Sequence, residues 1–255
     1  MTTRRTQIKR MLAPLAERHP DLAMVGRYVH LKPVRHLVRY VVIDTLLSPG
    51  QFRPRWIVFP LCIGNSIGVI NPGEFIDPSG DRRLWYFDDP TVGAALRTDV
   101  EAKALPQMRE VADLPTFDAR VHTKELWRVW TMPELFWHRT LDAAMGRLQK
   151  AREGLERLFR DRDRFLDWGG LARLEAEMRK RRKGQSIMFE GDFPYTGSLN
   201  VVAFYERTLY PLVVAEDRAG IGALLRSWEE VAVKAYKIEH LWEPTPLPVE
   251  TGGGA

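Results

Sequence analysis

The chain has a single cysteine, Cys62, among its 255 residues, and it lacks any long apolar run. One cysteine excludes an intrachain disulfide and a cysteine-rich zinc site, and it favours a reducing compartment. No stretch of about 18 apolar residues is present, so the sequence predicts no transmembrane helix. The basic N-terminal segment has no apolar core of the kind that a secretory signal needs. We therefore expect a cytoplasmic protein with no membrane partner.

Motifs for metal binding are also missing. The six histidines form neither H-x-x-x-H nor H-E-x-x-H. His30 and His36 flank a predicted hairpin turn, but a zinc site needs further ligands that the sequence does not place beside them. Residues 77–81 carry side-chain oxygens at alternate positions, yet they lack the glycine and the later glutamate of a calcium loop. The sequence therefore predicts no metal and no cofactor.

The periodicity of the apolar residues changes near residue 120. Before this point apolar residues alternate in short runs, and after it they recur every three to four residues among many charges. The first pattern is typical of strands and the second of amphipathic helices. The sequence therefore predicts an α+β fold, with an N-terminal antiparallel sheet flanked by helices and a C-terminal helical bundle.

The individual elements follow from the same periodicity and from turn residues. We predict four strands, at 24–32, 36–47, 55–63 and 84–88, with a further short strand at 67–71. We predict helices at 4–18, 90–112 (bent at Pro106), 131–165, 171–183 and 218–240, and we leave 199–215 undecided between helix and strand.

Three segments organise the chain at the domain level. We expect an α+β antiparallel-sheet domain at 1–120 and a helical domain at 121–242 that packs tightly on it. Residues 243–255 contain three prolines and a triple glycine, so we expect a disordered tail there. Trp127 and Trp130 lie near the junction of the two halves, where they form either the core between the layers or a binding groove.

Positive charge is concentrated in the first quarter of the sequence. Residues 1–60 hold eleven Lys and Arg against three acids, whereas the other 195 residues carry a net charge of −3. In the predicted strands, Arg27, Arg39 and Arg55 each precede apolar residues at the second and fourth following positions. If the register aligned them, three guanidinium groups would share one sheet face and suit an anionic ligand. The alternative is that each pairs with an acid at the sheet rim: Asp44, Asp88 or Asp89.

One string matches a catalytic motif. Residues 64–68 read G-x-S-x-G directly after a predicted strand, so Ser66 is a candidate nucleophile and His240 a candidate base. The motif requires a helix after the serine in a parallel α/β sheet. Residues 69–80 contain two prolines and two glycines, which disfavour that helix. A serine hydrolase is therefore the alternative function.

A basic run at 179–183 lies at the predicted end of a helix. Such a run can contact nucleic acid, or it can complement the helix dipole with no partner at all. The absence of interleaved aromatic residues favours the second interpretation. We therefore expect a non-enzymatic binding or interaction protein, which uses the basic sheet face or the groove between the halves. Its partner is expected to be a protein or an anionic small molecule rather than a nucleic acid.

Overall fold

The computed structural model describes residues 4–46, 50–63, 73–80, 84–123, 132–160 and 198–252. An antiparallel sheet dominates the N-terminal part and helices follow it, which confirms the α+β fold class. No helix in these parts of the chain is long and apolar enough to cross a membrane.

Six strands of the sheet lie in the described residues, and every pairing among them is antiparallel. The order is β1-β2-β3-β4, and the outer side of β4 carries both β6 and β5. The strands are β1 Leu22–Val25, β2 Tyr28–Leu31, β3 Leu37–Thr45, β4 Gln51–Pro60, β5 Gly73–Phe75 and β6 Trp85–Tyr86. The central pair, β3 and β4, is in register along the whole of β3.

The prediction of a single strand at 24–32 is wrong, because this segment contributes to two strands, β1 and β2. Gly26 adopts a φ of 64°, a left-handed conformation that glycine reaches without steric cost, and the chain turns there between β1 and β2. The predicted strand at 55–63 begins earlier, at Gln51, and its last three residues leave the sheet as a 3₁₀ turn. Strand β5 lies in a segment predicted as loop, and the predicted strand at 67–71 lies outside the described residues.

Ten α-helices are described, and their bounds define the labels used below. They are α1 Arg4–Arg18, α2 Val92–Asp99, α3 Leu105–Glu110, α4 Leu114–Thr123, α5 Met132–Ala144, α6 Leu148–Arg160, α7 Ser198–Arg207, α8 Leu209–Val214, α9 Arg218–Tyr236 and α10 Pro248–Thr251.

Helix α1 forms at its predicted position. Its apolar stripe of Ile8, Leu12 and Leu15 is buried, and the helix packs on β1 and β2. The predicted 90–112 helix is interrupted, because a π-helical turn at Val100–Ala104 separates α2 from α3. This turn lies just before Pro106, whose missing N–H and bulky ring disfavour a regular α-helix at that point.

Within residues 132–160 the helical region has a break that the sequence pattern does not predict. Helices α5 and α6 are separate because Gly146, with a φ of 78°, ends the first and turns the chain into the second. Asp142, buried at the end of α5, accepts ion-pair contacts from three cations: Arg139 at 2.9 Å, Arg147 at 2.9 Å and Lys150 at 3.2 Å. The undecided segment 199–215 is helical and forms α7 and α8.

The expectation of a disordered tail is wrong for residues 243–252. Helix α10 forms there, and both Leu247 and Val249 are fully buried. The Glu250 carboxylate accepts a hydrogen bond from the Leu247 N–H at 2.8 Å and pairs with Arg226. Prolines in this segment are compatible with order because Pro248 occupies the first turn of the helix, where its missing N–H costs nothing.

The chain forms two compact units. The first contains 1–60, 71–124 and 237–244, and the second contains 61–70, 125–236 and 245–255. The segment 237–244 belongs to the first unit because Trp242 bridges to Val34 beside the sheet. The tight packing of the two halves on each other stays a prediction.

Candidate functional site

The register of β3 and β4 decides which arginines share a sheet face. Residues that pair directly across two strands lie on the same face, and neighbours along a strand alternate. Arg55 pairs with Val42 and Arg39 pairs with Val58. Positions 55 and 58 are an odd number apart, so Arg39 and Arg55 lie on opposite faces. The predicted cluster of three arginines is therefore not formed.

Arg39 lies on the face that α3 covers. Its guanidinium donates to the carbonyl oxygens of Met108 at 3.5 Å, Val111 at 3.4 Å and Pro33 at 3.0 Å. Burial lowers the pKa of Arg39, and the charge of Arg35 lowers it further. Two of the three acceptors are carbonyls at the C-terminal end of α3, where a cation offsets the negative end of the helix dipole. Arg39 is therefore committed to joining the helix to the sheet.

Arg27 lies in the turn between β1 and β2 and not in a strand. Its side chain contacts Tyr28 next to it, with a hydrogen bond of 3.2 Å from Nε to the tyrosine hydroxyl and the guanidinium carbon 5.3 Å from the ring centre. Arg55 forms the rim pair that was the alternative to a ligand site, since its Nε lies 2.7 Å from Asp44 Oδ2.

Arg53, which is not among the predicted site residues, is on the same face as Arg55. Its guanidinium carbon lies 3.5 Å from the centre of the Phe75 ring on β5. It pairs with Asp77, where the separation is 3.8 Å and the two side chains are 46% and 79% exposed. Such a pair is screened by water and contributes little to stability. The charge of Arg53 therefore remains accessible.

Exposed apolar side chains are concentrated at the end of the sheet that carries Arg53. Six large apolar residues are exposed in the described part of the chain, and four of them belong to this end of the sheet, each 37–45% exposed. They are Leu46, Phe75, Leu84 and Tyr86. We call the surface made by these four residues together with Arg53 and Arg55 the aromatic–arginine face.

The aromatic–arginine face is held in a defined arrangement by β4. Tyr86 pairs with Gln51 and Phe75 pairs with Arg55 across the outer side of this strand. The Gln51 side-chain amide donates to the Tyr86 hydroxyl at 3.1 Å. Four residues along a strand span about 13 Å, so the two aromatic rings lie at either end of a short stripe with Arg53 between them. Ordered strands therefore position Phe75, Tyr86 and the two arginines, whereas Leu46 and Leu84 lie directly beside the ends of β3 and β6.

The other end of the same sheet face is buried and contains His30. Burial is the main cause that lowers the pKa of His30 to about 4, and the charge of His240 lowers it further. His30 pairs across the strands with Tyr40, whereas His36 precedes β3. No group of three His, Cys, Asp or Glu side chains in the described ranges is arranged to hold a metal ion.

The residues at 77–80 are engaged in local contacts. The Ser79 hydroxyl donates to Asp99 Oδ1, and its N–H donates to Asp99 Oδ2 at 2.9 Å. Lys103 contacts the same carboxylate at 3.1 Å. Burial alone would raise the pKa of Asp99, but the hydrogen bonds from Ser79 and Lys103 outweigh it and lower that pKa. Ser79 thus attaches its loop to α2.

Several candidate residues lie outside the described residues: Ser66 with the rest of its motif, Trp127, Trp130 and the basic run at 179–183. The sheet that precedes Ser66 is antiparallel in every pairing described, so the parallel sheet in which G-x-S-x-G supports catalysis is not what the chain forms there. His240 is exposed.

No family model, no curated protein and no solved structure shows significant similarity to this chain. The described surfaces and their chemistry are therefore the basis for assigning a function.

Arg53 could have been found from the sequence by one signal. Arg53 and Arg55 are two positions apart, which places both side chains on one face if the strand includes them. The predicted strand starts at Arg55 and leaves Arg53 outside it. Pro54, a residue more common in turns, instead lies within β4, where its carbonyl accepts from the Ile76 N–H at 2.9 Å.

Proposed function

We propose that this protein is a non-enzymatic binding protein. Its aromatic–arginine face binds a segment of a partner protein that contains both acidic and apolar side chains. The observation that carries the proposal is the grouping of four of the six exposed large apolar side chains in the described ranges around Arg53. Isolated exposed apolar residues need no explanation, but several of them at one end of a sheet, beside an accessible cation, match the composition of an interface.

The types of residue in the face favour a protein partner. Tyr, Phe and Arg are enriched in the parts of interfaces that contribute most to affinity. A small-molecule site, by contrast, encloses most of its ligand in a concave pocket. The four apolar residues of this face are each more than a third exposed on the surface of a sheet, which suits a partner with its own extended surface.

The charge of Arg53 supports an acidic partner. Asp77 contacts it only at 3.8 Å and is largely exposed, so a partner carboxylate can replace Asp77 at little cost. The Phe75 ring orients the guanidinium and leaves its edge for a bidentate carboxylate contact. We expect the partner segment to place Asp or Glu against Arg53 and an apolar side chain against Phe75 or Tyr86.

A selection experiment tests this function. A displayed library of random 12-residue peptides is selected on the full chain and, in parallel, on Phe75→Ser. Val214→Ser is the matched control, because Val214 is also an exposed apolar residue but lies on α8. We expect the selected peptides to be enriched in Asp or Glu beside apolar residues. We also expect them to bind the wild type and Val214→Ser equally. We expect at least tenfold weaker binding to Phe75→Ser.

Two results would contradict the proposal. The first is a selection that returns peptides with no enrichment in acidic residues. The second is a set of peptides that bind Phe75→Ser as tightly as the wild type, since binding would then involve some other surface. Circular dichroism of each variant distinguishes a lost surface from a lost fold.

A further inference from the structure

The strand on the outer side of β4 is interrupted opposite Arg53. The Ile76 N–H, directly after β5, donates to the Pro54 carbonyl at 2.9 Å, and Trp85 at the start of β6 pairs two positions away on β4. Only Arg53 lies between these two positions of β4. Strands β5 and β6 are therefore two parts of one discontinuous strand. Residues 77–80, which we call the Asp77 loop, leave it opposite Arg53.

Pro54 and Trp85 account for this interruption. In an antiparallel ladder, the two residues of a hydrogen-bonded pair each donate an N–H to the carbonyl of the other. Pro54 has no N–H, so it cannot return the bond that it accepts from Ile76. The indole N–H of Trp85 donates to the Ile76 carbonyl instead, at 2.9 Å, and both of these residues are buried. The carbonyl is thus satisfied although the ladder stops at Pro54, and the chain can leave the sheet there.

The Asp77 loop is attached to the neighbouring helical segment by contacts that do not involve the Asp77 side chain. The Asp77 carbonyl accepts a hydrogen bond from Lys103 Nζ. The Ser79 N–H and hydroxyl both donate to the carboxylate of Asp99, the last residue of α2. The main chain of the loop is therefore held in place. The Asp77 carboxylate extends toward Arg53, with 3.8 Å from Oδ1 to Nη2.

We propose that Asp77 is an internal ligand of the aromatic–arginine face: its carboxylate occupies Arg53 in the free protein, and the carboxylate of a bound partner segment displaces it. This competition rests on the function proposed above and lowers the affinity of the same surface for acidic segments. Asp44 also pairs with Arg53 across the strands, but its carboxylate contacts Arg55 Nε at 2.7 Å. In the described part of the chain, Asp77 is therefore the acid that competes for Arg53.

The geometry of Arg53 makes the two carboxylates compete for the same atom. The Phe75 ring covers one face of the guanidinium, so a carboxylate approaches at the N–H edges. A bidentate carboxylate uses Nη2 together with either Nε or Nη1. Arg109 shows the first arrangement with Asp21, through Nε at 2.9 Å and Nη2 at 3.1 Å. Because Asp77 already lies against Nη2 of Arg53, a partner carboxylate displaces it in either arrangement.

Displacement of Asp77 needs only a local movement. Its side chain is 79% exposed, and its 3.8 Å contact is longer than a direct hydrogen bond. Rotation of this side chain into water removes the charge from Arg53, while the loop keeps its bonds to Lys103 and Asp99. The competitor therefore lowers the affinity without closing the surface. We expect an effect of about two- to fivefold, the range for an exposed ion pair.

Peptide binding to charge variants tests this competition. The probe is an acidic peptide from the selection described above, and fluorescence anisotropy measures its affinity for the wild type, Asp77→Asn and Glu230→Gln. Glu230 is an exposed acid on α9, so its replacement is the matched charge change on another element. We expect Asp77→Asn to bind the peptide about two- to fivefold more tightly than the wild type at low salt. Glu230→Gln should bind it like the wild type.

An Arg53→Ser background separates competition for Arg53 from general charge repulsion. Most of the gain from Asp77→Asn should be lost there, since no guanidinium remains for the two carboxylates to share. A gain of the same size in both backgrounds would overturn the inference. So would equal affinities of Asp77→Asn and the wild type for a peptide that Phe75→Ser fails to bind, although the proposed function would then stand.

The test also decides the case in which the wild type yields no acidic peptide. The selection is then repeated on Asp77→Asn, in which Arg53 no longer faces the Asp77 carboxylate. Acidic peptides that bind Asp77→Asn, and that lose binding when Phe75→Ser is added, would support the competition. A selection on Asp77→Asn that also returns no acidic peptide would overturn the competition and the proposed function together.

Discussion

The guanidinium carbon of Arg53 lies 3.5 Å from the centre of the Phe75 ring, and this contact joins a central strand to a three-residue edge strand. Strand β5 pairs with β4 at three positions, so a side-chain contact adds materially to what holds it. The contact therefore does two things at once: it fixes the edge strand, and it orients an accessible cation beside exposed apolar surface.

The Arg53–Phe75 pair should show measurable coupling in stability. Exposed cation–π pairs contribute about 0.5–1 kcal/mol, so Arg53→Ser and Phe75→Ser should each destabilise the protein modestly, and the double variant by less than their sum. Urea unfolding of the four proteins in this cycle measures the coupling. Arg5→Ser, an exposed arginine on α1, is the control and should change the free energy of unfolding little. Strict additivity of the two substitutions would show that the contact does not form.

Gly154 on α6 should be intolerant of alanine for a specific reason. A Cβ added there would overlap the side chain of Arg139, which lies across the glycine to reach Asp142. Gly154→Ala should therefore destabilise the protein although alanine favours helices. In an Arg139→Ala background the same change should become neutral or stabilising by up to about 1 kcal/mol, because only the helix propensity remains. Thermal unfolding of the three variants checks this, and a loss of stability in both backgrounds would contradict it.

Asp142 should be one of the most sensitive positions in the helical unit. Its buried carboxylate receives Arg139, Arg147 and Lys150, so Asp142→Asn leaves partly buried cations without their counter-charge. We expect a loss of about 1–3 kcal/mol, which is less than for a fully buried pair because the three cations are partly exposed to water. Glu153→Gln, on the exposed side of α6, removes the same charge and is the matched control; it should change the free energy of unfolding little. Comparable losses for the two variants in urea unfolding would refute this assignment.

His30 should make the global stability depend on pH. Its pKa is about 4 in the folded protein and about 6.5 when unfolded, so the unfolded chain binds the extra proton between these values. The contribution of His30 to the free energy of unfolding is therefore fully present above pH 6.5. It decreases as the pH drops toward 4, by roughly 3 kcal/mol in total. The difference between the wild type and His30→Phe in urea unfolding at pH 7 and pH 4.5 isolates this contribution from that of the carboxylates. A difference that does not change with pH would contradict the assigned burial.

The fold could be predicted from the sequence where one physical signal dominated. The apolar stripe of α1 and the apolar run of β3 each have a single interpretation, so the fold class followed. Gly26 and Gly146 escape recognition as turns because the apolar pattern continues on both sides of each glycine. Their left-handed conformations, and not the pattern, end the elements.

The candidate site was harder to predict because it depends on register. Whether Arg39 and Arg55 share a face is decided by the pairing of β3 with β4, and a shift of one residue reverses the answer. The short strands β5 and β6, which bring Phe75 and Tyr86 to β4, have too few residues to produce a periodic signal. Tertiary pairing alone creates the aromatic–arginine face.

Chemical-shift mapping shows directly whether the aromatic–arginine face binds an acidic segment. A selected acidic peptide is titrated into the ¹⁵N-labelled chain, and the amide signals are followed. We expect the largest shifts at Arg53, Phe75, Tyr86 and their neighbours on β4, and we expect the dissociation constant to increase as the salt concentration rises. Shifts centred on another surface, or none along β4, β5 and β6, would contradict it.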